Sequence, residues 1–168
     1  MTQDLELLLP ADFHPASRVW IYQSNRPFSE QEVLEIDEQL YQFTSQWLAH
    51  GAPVKGWGKL LFDQVVVIVA DESATMVSGC STDSSVRIIK SFENQYKVNF
   101  FDRLLLAFIV KDKLQLLPMA QLPYALEKGF IDENTIYLNN TVLTKQELEK
   151  NWLVPLKNSW LAKKLSLA

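Results

Sequence analysis

Val65-Val66-Val67-Ile68-Val69 is an unbroken run of β-branched side chains. β-branching favours an extended backbone. Apolar residues at every position, rather than at alternate ones, describe a strand buried on both faces. A second strand-like run at residues 57–62 precedes it, with only Asp63-Gln64 between the two. So short a link closes an antiparallel hairpin.

The segments flanking this hairpin are also legible. Arg18-Val19-Trp20-Ile21-Tyr22-Gln23 is rich in β-branched and aromatic residues and predicts a strand. Ser29 and Glu32 then form an S-x-x-E capping box, with Phe28 and Val33 at the positions of a hydrophobic staple. Val33, Ile36, Leu40, Phe43 and Trp47 recur at spacings of three and four, the apolar stripe of one helix, which Gly51 and Pro53 end. After the hairpin, a polar stretch at 71–85 leads into a second helix with the stripe Val86, Ile89, Phe92 and Tyr96. Residues 104–110 read as another buried strand, and Lys111-Asp112-Lys113 turns into a short one at 114–117.

Up to Val110 the order is β-α-β-β-α-β, which predicts an α+β fold of the ferredoxin-like kind: an antiparallel sheet with two helices on one face. The expected organisation is a single domain, 1–168, with an N-terminal arm (1–17), a ferredoxin-like core (18–117) and a small C-terminal α/β appendage (118–168). Within the appendage, 123–128 predicts a short helix stopped at Gly129, and Ile136–Leu138 a strand. Thr144 and Glu147 form a second capping box, stapled by Leu143 and Leu148, that opens a helix ending near Asn151. The appendage covers either the open sheet face or a sheet edge. The sequence does not choose between them.

Bulk properties exclude several function classes. The 168 residues suit one domain with a proper core. The net charge of −4 and thinly scattered Lys and Arg argue against nucleic acid, whose binders carry a basic patch. The one cysteine, Cys80, rules out an internal disulfide and fits a reducing compartment. The start Met1-Thr2-Gln3-Asp4 lacks the positive charge of a signal peptide, and no apolar run approaches the roughly 20 residues of a membrane span. These features together predict a cytoplasmic protein.

The most ligand-like segment is Gly79-Cys80-Ser81-Thr82-Asp83-Ser84, between a buried strand and a helix. Small residues admit a ligand close to the backbone, and hydroxyls with free N–H groups at a helix start suit a small anion. Arg18 and Arg87 are its expected charge partners. The same residue types are also the ordinary N-caps of any helix, and Asp83 competes with an anion for the donors. Cys80 at a helix start is a candidate nucleophile, although only His14 and His50 are available as bases. Two histidines with no cysteine cluster predict no metal site, and nothing in the sequence calls for a cofactor. Asp71-Glu72 is a candidate general base, or a metal-binding pair with Asp83, and more commonly such acidic residues are an ordinary solvated strand end. Trp20 and Tyr22 share one face of the first strand, where burial under the appendage or in a dimer interface accounts for them. A homodimer is therefore among the expected states.

Four stretches carry a family resemblance: Ser17-Arg18-Val19-Trp20-Ile21-Tyr22-Gln23, Ser78-Gly79-Cys80-Ser81-Thr82-Asp83-Ser84-Ser85, Phe100-Phe101-Asp102-Arg103 and Asn151-Trp152-Leu153-Val154-Pro155. Through them the chain resembles a bacterial family whose members are often labelled "ABC transporter ATPase". The residues do not support that label. Such an ATPase needs G-x-x-x-x-G-K-[ST], and Gly56-Trp57-Gly58-Lys59-Leu60 lacks both the glycine spacing and the magnesium-binding hydroxyl. The segment Leu126-Glu127-Lys128-Gly129-Phe130-Ile131, with Thr135 and Trp152, is similar to small GYF-like modules, which implies protein contacts. With a fold signature and no assembled catalytic set, the expected function is a non-catalytic binding protein for a small anion or a protein partner. The alternative is a small-molecule enzyme using Cys80 or the Asp71/Asp83 carboxylates.

Overall fold

The computed structural model describes residues 8–73 and 79–167, with the backbone alone at 79–81. Its first sheet contains β1 (Arg18–Gln23), β4 (Lys55–Leu61) and β5 (Val65–Asp71) in the order β1-β5-β4, all antiparallel. Central β5 is buried at every position. Alternation along it sends Val66, Ile68 and Ala70 to one face and Val65, Val67 and Val69 to the other. This is the two-sided burial its composition demands.

Two long helices cover the first of these faces. α1 (Glu30–Ser45) starts with the complete capping box: Ser29 Oγ accepts from the Glu32 amide at 3.2 Å, and Glu32 Oε1 accepts from the Ser29 amide at 3.0 Å. α1 presents Ile36 and Leu40, and α2 (Gly79–Tyr96) presents Ile89 and Phe92, to one core with Leu60, Val66 and Ile68. Arg26 fastens the two helices by gripping both Glu32 oxygens, at 2.9 and 3.1 Å, and donating to the Tyr96 carbonyl at the end of α2. α1 ends at Ser45, before Trp47. The chain then forms a short ribbon, β2 (Leu48–Ala49) with β3 (Ala52–Pro53), joined through His50 and Gly51. Both turn residues have positive φ, and Gly51 takes +79° at no steric cost.

Close packing of α1 explains the Gly-Trp-Gly sequence of β4. A Cβ on Gly56 would lie 2.7 Å from Trp47 Cε3, and one on Gly58 would lie 3.5 Å from Leu40. Both glycines sit within a strand under a helix, not in a phosphate-cradling loop. α1 also guards the outer edge of β4, where Asp37 Oδ1 accepts the Leu60 amide at 2.8 Å.

The second face of the sheet is covered by another sheet. β6 (Leu105–Val110), β7 (Lys113–Pro118), β8 (Ile136–Leu138) and β9 (Leu153–Pro155) form it in the order β7-β6-β8-β9, again antiparallel. Ala107, Leu138, Val142, Leu148 and Trp152 pack from this side onto Val65, Val67 and Val69. The N-terminal arm adds Leu9 and Phe13 to the same core. The outer face of the second sheet carries Phe108 and Tyr137 under α3 (Leu122–Glu127) and α5 (Leu161–Lys164), through Leu122, Ala125 and Leu161. α4 (Lys145–Asn151) begins with Thr144 Oγ1 accepting from the Glu147 amide. The Glu147 carboxylate reaches one residue further back than a capping box requires, to the Leu143 amide.

The layers therefore run helix, sheet, sheet, helix. The mixed α+β class and the shared helix face agree with the sequence reading, but a single four-stranded sheet is not formed. Residues 105–118, expected in the core sheet, instead form a second sheet in which β6 pairs with β8 of the appendage and β8 with β9. Strand pairing beyond a hairpin is a long-range choice that local pattern does not encode. The appendage covers the sheet face. Trp20 and Tyr22 are corrected accordingly: they point to the helices, Trp20 against Trp47 at 5.8 Å, while Val19 and Ile21 meet the second sheet.

Candidate functional site

The outer edge of β1 is pinned at two points and open between them. Val19 donates its amide to Leu143 O at 2.9 Å, and Asn25, just past the strand, donates to Asn99 O at 3.0 Å. Strand alternation points the amides and carbonyls of residues 19, 21, 23 and 25 the same way, while Ser24 donates to Gln64 on the β5 side. Ile21 and Gln23 thus aim backbone groups outward, and their amides meet no acceptor among the described residues. From Val19 to Asn25 the window spans roughly 20 Å of extended chain.

This window faces a cleft of about 640 Å³. β1 forms one wall and Leu105–Ala107 of β6 the other. β8 is only three residues long and pairs with β6 at Phe108 and Ile109, so among the described residues the start of β6 has no strand on that side. A hydrogen-bonded chain crosses between the sheets. Trp152 Nε1 donates to Asn140 Oδ1 at 2.8 Å, Asn140 Nδ2 to Gln23 Oε1 at 3.2 Å, and Gln23 Nε2 to Leu105 O at 3.1 Å.

The α2 side of the cleft is polar. Ser85 donates to Thr82 O at 2.8 Å, so the Tyr22 hydroxyl donates in turn to Ser85 Oγ at 2.9 Å. Burial raises the Tyr22 pKa, against the Ser85 hydrogen bond, so this phenol stays neutral and is no base. Phe101 packs edge-on against Tyr22 at 5.8 Å. Thr82 Oγ1 is buried at the cleft with no partner among the described residues, a costly state for a hydroxyl. Ser17 Oγ and Trp47 Nε1 share that state but lie outside the cleft.

The residues singled out in the sequence are only partly brought together. Thr82 lines the cleft, whereas Arg18, Arg87 and Asp83 do not. The Arg18 guanidinium lies over the Trp20 ring at 5.1 Å, and Arg87 and Asp83 are exposed. α2 begins at Gly79, so Thr82, Asp83 and Ser84 stand inside its first turns. The N-cap position precedes Gly79 and lies outside the described residues, as do the side chains of Cys80 and Ser81 and the surroundings of Gly79.

Asp71 is engaged structurally. It accepts from the His14 and Ser73 amides at 3.0 and 2.9 Å and lies 3.8 Å from Lys55 Nζ. Burial pushes its pKa up, but the Ser73 and His14 bonds and the lysine outweigh this and hold it at about 2. A carboxylate so held is a poor proton acceptor near neutrality. Neither His14 nor His50 borders the cleft, and no group of three potential metal ligands occurs among the described residues. Gln23, Phe101 and Asn140 were not identified as site residues from sequence. Asn140 meets Gln23 across 117 positions, which no local motif signals.

A larger depression of about 790 Å³ lies between β7 and α3, lined by Lys111, Lys113, Lys128, Tyr124 and Phe130 among others. Lysines on an edge strand are the usual protection against strand pairing, and none of the unpartnered buried polar groups opens into this depression. The buried Thr82 hydroxyl borders the smaller cleft instead. No helix among the described residues is long and apolar enough to cross a membrane. No protein-family model, curated protein or solved structure matches this chain.

Proposed function

We propose that this chain is a non-catalytic, cytoplasmic binding protein that takes its ligand in the cleft along the outer edge of β1. The observation that carries this reading is the pair of outward-facing amides, Ile21 and Gln23, left without acceptors beside the buried, unpartnered Thr82 hydroxyl. Outward-facing strand amides without a protein acceptor are where a further extended chain or another acceptor can pair, and a buried hydroxyl beside the same opening adds to that reading. Three of the four stretches behind the bacterial family resemblance contribute to its wall, at 19–23, at Thr82 and at 100–103. The strand order β1-β5-β4, with both helices on one face, supports viewing the first half as a ferredoxin-like unit whose fourth strand position, beside β1, is open. Hydroxyl and amide donors also suit the small anion suggested by the sequence, with Arg103 of the cleft rim replacing Arg18 and Arg87 as the charge.

A ligand screen that includes phosphorylated metabolites tests the reading. A ligand at 100 times its Kd stabilises by about 2.7 kcal/mol, which raises the Tm of a domain this size by roughly 5–10 °C. The stabilising ligand is expected to shift the amide resonances of residues 19–25 and 105–107. Stabilising ligands whose shifts map elsewhere would refute it.

A further inference from the structure

Resting on that reading, we infer that the occupant of the cleft is an extended peptide segment of a partner protein, added to β1 as the next strand of the sheet and carrying an acidic residue for Arg103. The unpaired groups are backbone groups in strand alternation. Ile21 and Gln23 offer amides on one edge, continuous with the β1–β5 ladder and stopped at Val19 by Leu143 and at Asn25 by Asn99. What complements such a row is another extended backbone, which supplies carbonyls and amides at the same repeat.

The walls add side-chain requirements. Val19, Ile21, Ala107 and Val142 make one side apolar, while Tyr22 and Thr82 border the other. The segment therefore alternates an apolar residue, facing the first side, with a small one facing Tyr22 and Thr82. At the rim Asp102 is satisfied by accepting the Leu104 amide, whereas the Arg103 guanidinium has no ion pair or hydrogen bond among the described residues. That guanidinium, free to donate, fits a carboxylate at the end of the segment near Gln23, whose side chain contacts the neighbouring Leu105. The window of roughly 20 Å accommodates about six residues.

The test pans a displayed random heptapeptide library against the whole protein, then titrates the enriched peptides, made synthetically, into labelled protein. Expected sequences alternate apolar and small residues and carry one acidic position. They shift the amides of residues 19–25 and 105–107 and slow hydrogen exchange at Ile21 and Gln23. N-methylation at alternate peptide positions abolishes binding on one edge of the peptide and spares it on the other. Arg103→Ala weakens binding about fivefold in low salt and little in high salt. Finding no enriched peptide, or peptides that leave residues 19–25 unshifted, overturns strand addition. Inorganic phosphate or a metabolite that shifts the same amides would then leave the ligand-binding cleft standing. Cleft amides that answer to no probe overturn both.

Discussion

Substituting the two glycines of β4 separately gives an internally controlled test of how α1 sits on the first sheet. In Gly56→Ala the new methyl carbon starts 2.7 Å from Trp47 Cε3 and 3.1 Å from Cζ3. Carbon atoms rest at about 3.5–4.0 Å, so roughly 1 Å must be opened. Trp47 cannot yield cheaply, because it is 4% exposed and held between Phe43 at 4.9 Å and Trp20 at 5.8 Å. Overpacking of this kind costs about 1–3 kcal/mol, while loss of glycine freedom in the unfolded chain returns about 0.4–1. The net expectation is a loss of about 1–2 kcal/mol. At Gly58 the nearest atoms, on Leu40, are 3.5 Å away, an ordinary contact. Gly58→Ala keeps the entropic gain without the clash and should stabilise by about 0.5–1 kcal/mol. Urea denaturation followed by far-ultraviolet circular dichroism separates the variants by about 2 kcal/mol, with Gly56→Ala the weaker. Equal stabilities, or the reverse order, would show that helix approach is not what these glycines serve.

Three further outcomes follow from the same structure. Thr82→Val removes a buried hydroxyl that has no partner among the described residues and should raise unfolding stability by about 1 kcal/mol; a loss would mean the hydroxyl is satisfied in solution. Asn140→Ala leaves the Trp152 indole N–H buried without an acceptor, so chemical denaturation should read a loss of about 1–3 kcal/mol. Glu32 is held at about 2 by Arg26 and the Ser29 amide, well below its ordinary 4.5. A depressed carboxylate contributes its stability above pH 4.5 and loses it as pH falls towards 2. With the pair partly exposed, Glu32→Gln should cost only about 1 kcal/mol at pH 7 and nothing near pH 2, so parallel losses at both pH values would exclude this origin.

Local signals were read correctly where the physics is local. The Ser29 capping box, the Val33-to-Phe43 part of the helix stripe and the 57–70 hairpin each depend on residues close in sequence, and each forms, although the helix stops at Ser45, short of the expected Trp47. The partner of β6 was misjudged for the opposite reason. Residues 105–110 are apolar enough to lie beside β1, yet β7 and the later β8 capture them. The cleft exists because of that capture. Its residues Tyr22, Thr82, Phe101 and Asn140 come from four separate stretches, so local pattern marks Thr82 as ligand-like and Tyr22 as an aromatic to be buried, but does not bring the four together. The arginines proposed as its partners point elsewhere, because Trp20 offers Arg18 an aromatic face on its own strand.

Double-sided burial of β5 has a consequence for how the protein is made. By the time Tyr96 has left the ribosome, the hairpin and both long helices can close over Val66 and Ile68. The cover for Val65, Val67 and Val69 comes from Ala107, Leu138, Leu148 and Trp152, the last synthesised about fifty residues later. The arm that completes this core is itself fastened late, by the Lys145 amide on Ser17 O and the Lys145 ammonium on Phe13 O. At typical elongation rates the nascent chain carries a bare valine face for roughly 3–10 s. During that interval a chaperone, or another nascent copy, competes with the chain's own second sheet for the same surface.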